Sequence, residues 1–450
     1  MFLKTILFIS VLFFCLVNRI AAQEGTPIPN PAQWNLVQCI DYAKKNNIQI
    51  NLLRLSQQIS QQQYLLAKAA RLPNLTGSAS QNFEHANASS SYNNSGYNVS
   101  NGSSFTASGV YSLNSSVVLY NGSYINNTIA QANLSVNAAN LNILQLENDI
   151  TLQITQAYLI VLLDKENIVY DSTLVTTDHV QVQREQKIYD VGSVALYALI
   201  QLKAQESTDQ FTLVKAINTQ KADLLTLKQL LLLNSDERFD IIKPETIAPI
   251  DSITAFKSVE QIALSSRPEI KNGEQALQIA QYGVSIARAG YKPLLTAGGS
   301  LNTSYFTGQG NLATQLNNNF NQQLGLTLAI PIFTRRVVKT QVEEAKINVD
   351  QAGLNLSNTK ITLSQTVERA FLNVANAKSQ YEAALVQYNL NKEGYRIASE
   401  QLKVGVANMV DFLLQKNLFI QAQQAYIQSK YNELLTLKIY DFYRGIPIKL

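Results

Sequence analysis

A single carboxylate set among apolar residues is the feature of this chain best suited to chemistry. Asp411 follows Gly405 by six positions and sits in the run Met409-Val410-Asp411-Phe412-Leu413-Leu414. Alone, such a group works by charge. It can attract a cation, hold a proton, or face the positive N-terminal end of a helix that starts beside it. Reaction chemistry has few other candidates. His85 lies in an Asn/Ser-rich stretch and His179 among Thr and Asp, far apart and without a cluster of Cys or Asp around either. The cysteines are Cys15 and Cys39, too few for a cysteine zinc site. The sequence therefore predicts no catalytic group, no metal and no cofactor, and it argues against an enzyme. Charged residues make up 15% of the chain and the net charge is +4 over 450 residues. With no basic run interleaved with aromatics, nucleic acid is not an expected partner.

The elements that must position Asp411 are written twice. Residues 120–192, advanced by 213, fall on 333–405, so that Ile150, Ile154, Ala157 and Val161 meet Leu363, Val367, Ala370 and Val374. Val191-Gly192 likewise meets Val404-Gly405. Units this long exceed the 20–50 residues of solenoid repeats, so the pattern predicts duplication of a domain-sized unit. The boundaries read as a signal peptide over 1–22, repeat 1 over 23–235, a linker over 236–254 and repeat 2 over 255–450. The leader has Lys4, an apolar run from Ile6 to Val17 and a small-residue site ending at Ala22, as an export signal requires. The bulky Phe13-Phe14 pair before Cys15 argues against a lipid anchor there.

Within each repeat a helix comes first, over 36–72 and 256–291, and each helix stops at a proline, Pro73 or Pro293. A β-hairpin follows, over 74–120 and 294–333, with residues alternating between apolar and Ser/Thr/Asn. Phe105, Ala107, Gly109, Tyr111, Leu113, Val117 and Leu119 share one face, and Leu324, Leu326, Leu328, Ile330 and Ile332 share the corresponding one. Pro331 marks the exit from the last strand. Strands of about 11–15 residues with an uncharged polar face suit a membrane barrel better than a soluble sheet. Long helical hairpins complete each repeat, over 122–235 and 335–445. In the second, Leu363, Val367, Ala370, Val374, Ala377, Tyr381, Ala384 and Tyr388 step by 4 and 3, a coiled-coil seam. Gly192 and Gly405 fall at the hairpin tips, where a turn with φ > 0 favours glycine.

Four strands cannot close a barrel, for which about eight are the practical minimum. Open strand edges do not survive in lipid. The membrane reading therefore requires two or more chains around a common pore.

The chain resembles the outer-membrane efflux protein (TolC-like) family across residues 34–445. The resemblance is carried by Trp34-Asn35-Leu36 with Ile40 and Ala43, by Ala69-Ala70-Arg71-Leu72-Pro73, by Ile330-Pro331-Ile332-Phe333, and by the tip segment from Val404 to Leu413. It implies an α+β membrane protein: a homotrimer whose four strands per chain form a 12-stranded outer-membrane β-barrel, continued by a long antiparallel α-helical periplasmic barrel. It implies an exit duct for a tripartite efflux pump or a type I secretion system. The partners would be outer-membrane lipid, a periplasmic adaptor protein and an inner-membrane pump of RND or ABC type. By likeness, Asp411 would be the periplasmic gate, repeated as a ring of three. At about 6 Å separation and an effective dielectric near 20, each pair would repel by roughly 3 kcal/mol, so the ring should bind cations. The family's fuller pattern has a second acid and a basic residue where this chain has Leu414 and Ala407, which implies a looser latch. Val191, Gly192, Ser193, Val404, Gly405 and Val406 would contact the adaptor. A stand-alone porin, or an adhesin on a coiled-coil stalk, is the alternative on the residues alone.

Overall fold

The computed structural model describes residues 33–86, 89–93, 96–100, 104–244, 253–308 and 310–449. The expected leader, with Cys15, and residues 245–252 of the expected linker lie outside these. The elements in chain order are β1 (Gln33–Trp34), α1 (Leu36–Asn46), α2 (Ile48–Ala69), β2 (Asn74–Ala86), β3 (Ser89–Asn93), β4 (Gly96–Ser100) and β5 (Ser104–Tyr120). Then come α3 (Tyr124–Asp190), α4 (Leu196–Leu230), β6 (Asp240–Ile241), α5 (Phe256–Ser266) and α6 (Pro268–Ala289). The last are β7 (Leu294–Phe306), α7 (Leu312–Asn318), β8 (Asn321–Ala329), α8 (Val337–Lys403) and α9 (Met409–Tyr443). Helices of 11, 22, 67 and 35 residues occur in that order in both halves.

Three sequence expectations need correction. Each opening helix is two helices. Asn47 is extended and caps α2 through its side chain, which accepts from the N–H of Gln49 and Ile50. Pro268 begins α6 and keeps Arg267 out of the helical region. The polar loops are also not bare. The first carries the β3–β4 hairpin. The second carries α7, N-capped by Asn311 on the N–H of Ala313. The linker, finally, contributes β6, which pairs in parallel with β1.

β2, β5, β7 and β8 form one antiparallel sheet in that order, so among the described residues the outer edges of β2 and β8 have no strand beside them. Register places Ala79, Tyr111 and Thr303 side by side, then Gly77, Leu113 and Leu301, then Leu75, Ser115, Gly299 and Leu324. Because facing partners project to the same side, one face is largely apolar. The other collects Ser78, Ser112 and Asn302, with Ser80 and Ser304 nearby on the same side. Among the described residues most of the apolar face is left uncovered: Leu324 is 92% and Leu326 70% exposed.

Below the sheet, α3 packs on α2 and α6 in its upper half and on α4 and α9 lower down, while α8 packs on α6, α5 and α9. The seam expected on α8 is buried at Leu363, Val367, Ala370, Val374 and Ala377. Midway along, Trp34, Tyr158, Leu159 and Ile241 form the main core. Tyr158 Oη there donates to the carbonyls of Trp34 and Ile242 and fastens β1 and β6 to α3. Cys39 is fully buried in this core, and burial pushes its thiol up to about 12, so it is unreactive.

The two long hairpins are joined by buried charge. Lys416 of α9 is fully buried among apolar residues and donates to Asp178 of α3 and, at 2.9 Å, to Asp209 of α4. Gln205 Nε2 donates to both oxygens of Asp209 at 3.1 Å. Asp178 belongs to a column on α3, Asp164, Asp171 and Asp178, one heptad apart and all buried. Burial, and then the facing Asp223, raise Asp164 to about 7. Burial and Asp209 raise Asp171 to about 6. Burial and the contact with Asp209, partly offset by Lys416, raise Asp178 to about 7. Asp209 moves the other way. Burial alone would raise it, but the contact with Asp178 and the donors Lys416 and Gln205 outweigh burial and lower it. The two carboxyls beside Lys416 are thus shifted in opposite directions, Asp178 up and Asp209 down.

Removing one member of such a cluster leaves an uncompensated buried charge. Lys416→Met should destabilise by about 3–5 kcal/mol, and adding Asp178→Asn and Asp209→Asn should restore much of the loss. Denaturant melts of the three proteins check this, and a silent Lys416→Met would contradict it. The sign of the pH dependence follows from the raised carboxyls. The folded chain keeps protons that the unfolded chain releases above its ordinary carboxyl range near 4. Their contribution is therefore full below about pH 4 and is lost as pH rises through 6 to 7. The melting temperature should be a few degrees higher at pH 5 than at pH 8, with the difference shrinking in Asp171→Asn. A flat or rising profile would refute it.

Candidate functional site

At the end of the rods farthest from the sheet, both hairpins turn through the same geometry. Gly192 and Gly405 each adopt φ of 76°. In the first turn, Gly192 N–H donates to Tyr189 and Ser193 N–H to Ile188. In the second, Gly405 N–H donates to Leu402 and Val406 N–H to Gln401. This is the helix ending in which a left-handed residue lets two N–H groups return to the last turn's carbonyls. A Cβ at either glycine would meet nothing within 4 Å, so the requirement is conformational and not steric. Around them Val191, Val404 and Val406 are 75%, 74% and 76% exposed, and Ser193 is exposed as well. Three valines held largely exposed form an apolar rim that no described residue covers.

The two tips stand together. Val182, Leu199 and Leu202 of the first hairpin pack with Ala398, Met409 and Phe412 of the second. A cleft of about 430 Å³ lies between them, floored by Ile188, Ala198, Leu402 and Met409 and edged by Arg184, Glu185 and Lys403.

Asp411 lies on this end, exposed, in the first turn of α9. The side chain of Asn408 caps that helix by accepting from the Asp411 N–H at 2.9 Å. Its carboxylate therefore sits where the helix dipole favours negative charge. The first hairpin has no counterpart: α4 starts from Ala195 without a side-chain cap. Within one chain, then, an acid in the first helical turn after the tip marks α9 and not α4.

The junction prolines belong to the other end. Pro73 and Pro293 immediately precede β2 and β7, and Pro331 lies just after β8. A 67-residue helix spans about 100 Å, so these residues and the tips form two separate regions. The returns from strand to helix are strained. Before α3 the pair Gly122-Ser123 has φ of 65° and 72°, and before α8 the pair Arg335-Arg336 has φ of 45° and 69°. Left-handed geometry costs an L-residue roughly 1–2 kcal/mol. Only one of these four residues is a glycine.

Sequence reasoning put Tyr381 and Tyr388 on the α8 seam but missed the aromatic stack and the buried charge they adjoin above the tips. Tyr381, Tyr388 and Tyr395 of α8 interleave with Phe412, Phe419 and Tyr426 of α9, with ring centroids 5.0–5.9 Å apart. The heptad spacing of both sets, and of Asp164, Asp171 and Asp178, was visible in the sequence; that Lys416 would fill the gap between the hairpins was not. His179 contacts Glu206 at 2.9 Å and Gln183 at 2.8 Å, a polar tie between α3 and α4. Among the described residues no group of three or more His, Cys, Asp or Glu could hold a metal ion.

Comparison with known proteins gives this geometry a context. Residues 259–437 match the model of the outer membrane efflux protein family. The outer membrane efflux protein BepC of Brucella suis biovar 1 (strain 1330) is 25% identical over 409 residues, covering 87% of this chain and 80% of BepC. A membrane protein from Pseudomonas aeruginosa superposes with a TM-score of 0.75 at 17% identity, over 94% of this chain and 95% of that one. The Campylobacter jejuni CmeC outer membrane channel gives 0.73 at 21% identity, over 93% and 89%. Those two likenesses establish the fold. Together with the family match and the likeness to BepC, they make the chain similar to the outer-membrane efflux protein family and indicate a protein of the outer membrane with a large periplasmic portion.

Proposed function

We propose that this chain is one third of a passive exit duct, in which three copies close a 12-stranded barrel in the outer membrane and line up their rods as one hollow periplasmic cylinder. The observation that carries the reading is the open four-stranded sheet: two bare edges and an uncovered apolar face on strands of 9 to 17 residues. A strand edge in hydrocarbon costs several kcal/mol per unpaired group, and only neighbouring copies of the same sheet supply the missing pairs. The rods make the same demand. On α8, Ile347, Leu354 and Ile361 recur at heptad spacing while 54–74% exposed. On α2, Leu52, Leu55 and Ile59 are 51–59% exposed. A second copy covers such stripes as a coiled-coil partner does. Solutes would pass through the lumen without bond chemistry, delivered by a periplasmic adaptor protein and an inner-membrane pump of RND or ABC type, as in drug efflux or type I secretion.

In this reading the tips are the working end. The bare valines at 191, 404 and 406 and the cleft beside them would receive the adaptor. Asp411, repeated three times about the axis, would ring the periplasmic mouth. Leu414 adds no second ring, so the restriction would be electrostatic more than steric.

Two outcomes are expected. In planar bilayers, Asp411→Ala should raise single-channel conductance or weaken block by divalent cations; unchanged conductance and block would remove the gate assignment. Val191→Glu with Val404→Glu should leave conductance intact but reduce capture of the cognate adaptor by about tenfold or more. Failure of the unaltered protein to bind any adaptor would favour a stand-alone porin.

A further inference from the structure

The strained turn at Arg335-Arg336 has a use beyond geometry. The same turn occurs 213 residues earlier as Gly122-Ser123, where a glycine takes the first left-handed position without strain. The second copy places arginine at both positions and holds both side chains exposed. A local outlier kept where a strain-free residue would serve points to a function for the side chains.

Their surroundings indicate which function. The register puts four strand–helix junctions at one end of the sheet: Asn74 beside Ser116, Tyr120 beside Leu295, and Leu294 beside Ala329. The stretches 60–76, 116–130, 284–298 and 328–342 contain seven Lys or Arg and no Asp or Glu, in a chain of 36 basic and 32 acidic residues; the first acids beyond them on α8 are Glu343, which feels the charge of Lys339, and Glu344. Arg71, Arg288, Lys292, Arg335, Arg336 and Lys339 are all exposed. Among the described residues none of them forms an ion pair. At the same level Tyr120, Tyr124 and Tyr291 are about half exposed. Tyrosines mixed with cations at the end of apolar strands are what a membrane–water boundary selects.

We propose that this belt binds anionic phospholipid headgroups of the leaflet facing the periplasm, with Arg335 and Arg336 as its strongest points. The inference rests on the reading that the sheet lies in the membrane. Guanidinium groups grip phosphate through paired N–H donors, and the turn fixes two of them next to one another where the strand leaves the hydrocarbon. Charge complementarity selects a headgroup with net negative charge over a zwitterionic one, and the arrangement in a plane around the sheet's end selects a surface over a soluble anion.

The test uses the full-length protein in nanodiscs containing phosphatidylglycerol and phosphatidylethanolamine, with retained lipid counted by native mass spectrometry. The wild type should keep phosphatidylglycerol in preference. The double variant Arg335→Gly, Arg336→Ser restores the first copy's residues and so keeps the turn; its preference should fall about thirtyfold. Arg335→Lys with Arg336→Lys should keep most of it. Equal retention of both lipids by the wild type, an unchanged preference in the Gly/Ser variant, or displacement of lipid by millimolar inorganic phosphate would each overturn the proposal. Conductance measured on the same samples separates the two readings. A protein that conducts without lipid preference loses only the belt, whereas one that never conducts loses the duct.

Discussion

Backbone pairing at the sheet's edges governs the rest of this structure. β2 and β8 each offer a row of N–H and C=O groups that no strand among the described residues pairs with. In water such edges invite uncontrolled association; in lipid each unpaired group costs several kcal/mol. The same sheet turns an apolar face outward and a Ser/Asn face the other way. Both features are liabilities in a lone soluble chain, and both vanish if identical sheets join edge to edge around a wet lumen. The likeness to outer-membrane efflux proteins makes that resolution the economical one.

The helical portion solves the opposite problem. In water the backbone needs no partner chain, so stability depends on what fills the seams. Much of the lower rods is filled with stacked aromatics and an acidic column balanced by one lysine, where aliphatic residues could pack. Buried ion clusters add little net stability, but they penalise misalignment strongly. Lys416 reaches Asp178 and Asp209 only if α9 lies in one register against both α3 and α4. We read the cluster as a register pin between two hairpins that otherwise meet along a narrow strip, and its raised carboxyls make the pin sensitive to the pH of the periplasm.

How much of this was legible in the sequence depended on the kind of signal. Alternation over 105–119 and 320–332 gave the strands, because side chains of period two have no other explanation over that length. The α8 seam was legible from Leu363 to Ala384 for the same reason at helical period. The breaks at Asn47 and Pro268 were hidden, since one capping residue scarcely disturbs an amphipathic pattern. α7 and the β3–β4 hairpin sit in Asn/Ser-rich stretches where composition suggests only a loop. The parallel pairing of β1 with β6 joins residues some 200 apart, and no local pattern encodes it. At the candidate site, Gly192, Gly405 and Asp411 stood out by type and spacing. Lys416 did not, because a lysine in a mixed helix normally reads as solvent-facing; only its position between Phe412 and Phe419 on one face hints otherwise. The arginines at 335 and 336 were equally silent, since strain is a property of the backbone and not of the letters.

The central claim is that the sheet is completed only by sister subunits in a membrane. Its most direct test is the native mass of the full-length protein extracted from outer membranes in mild detergent. The account predicts a single species of three copies that loses solubility when detergent is withdrawn. A monodisperse, water-soluble monomer without detergent would contradict it.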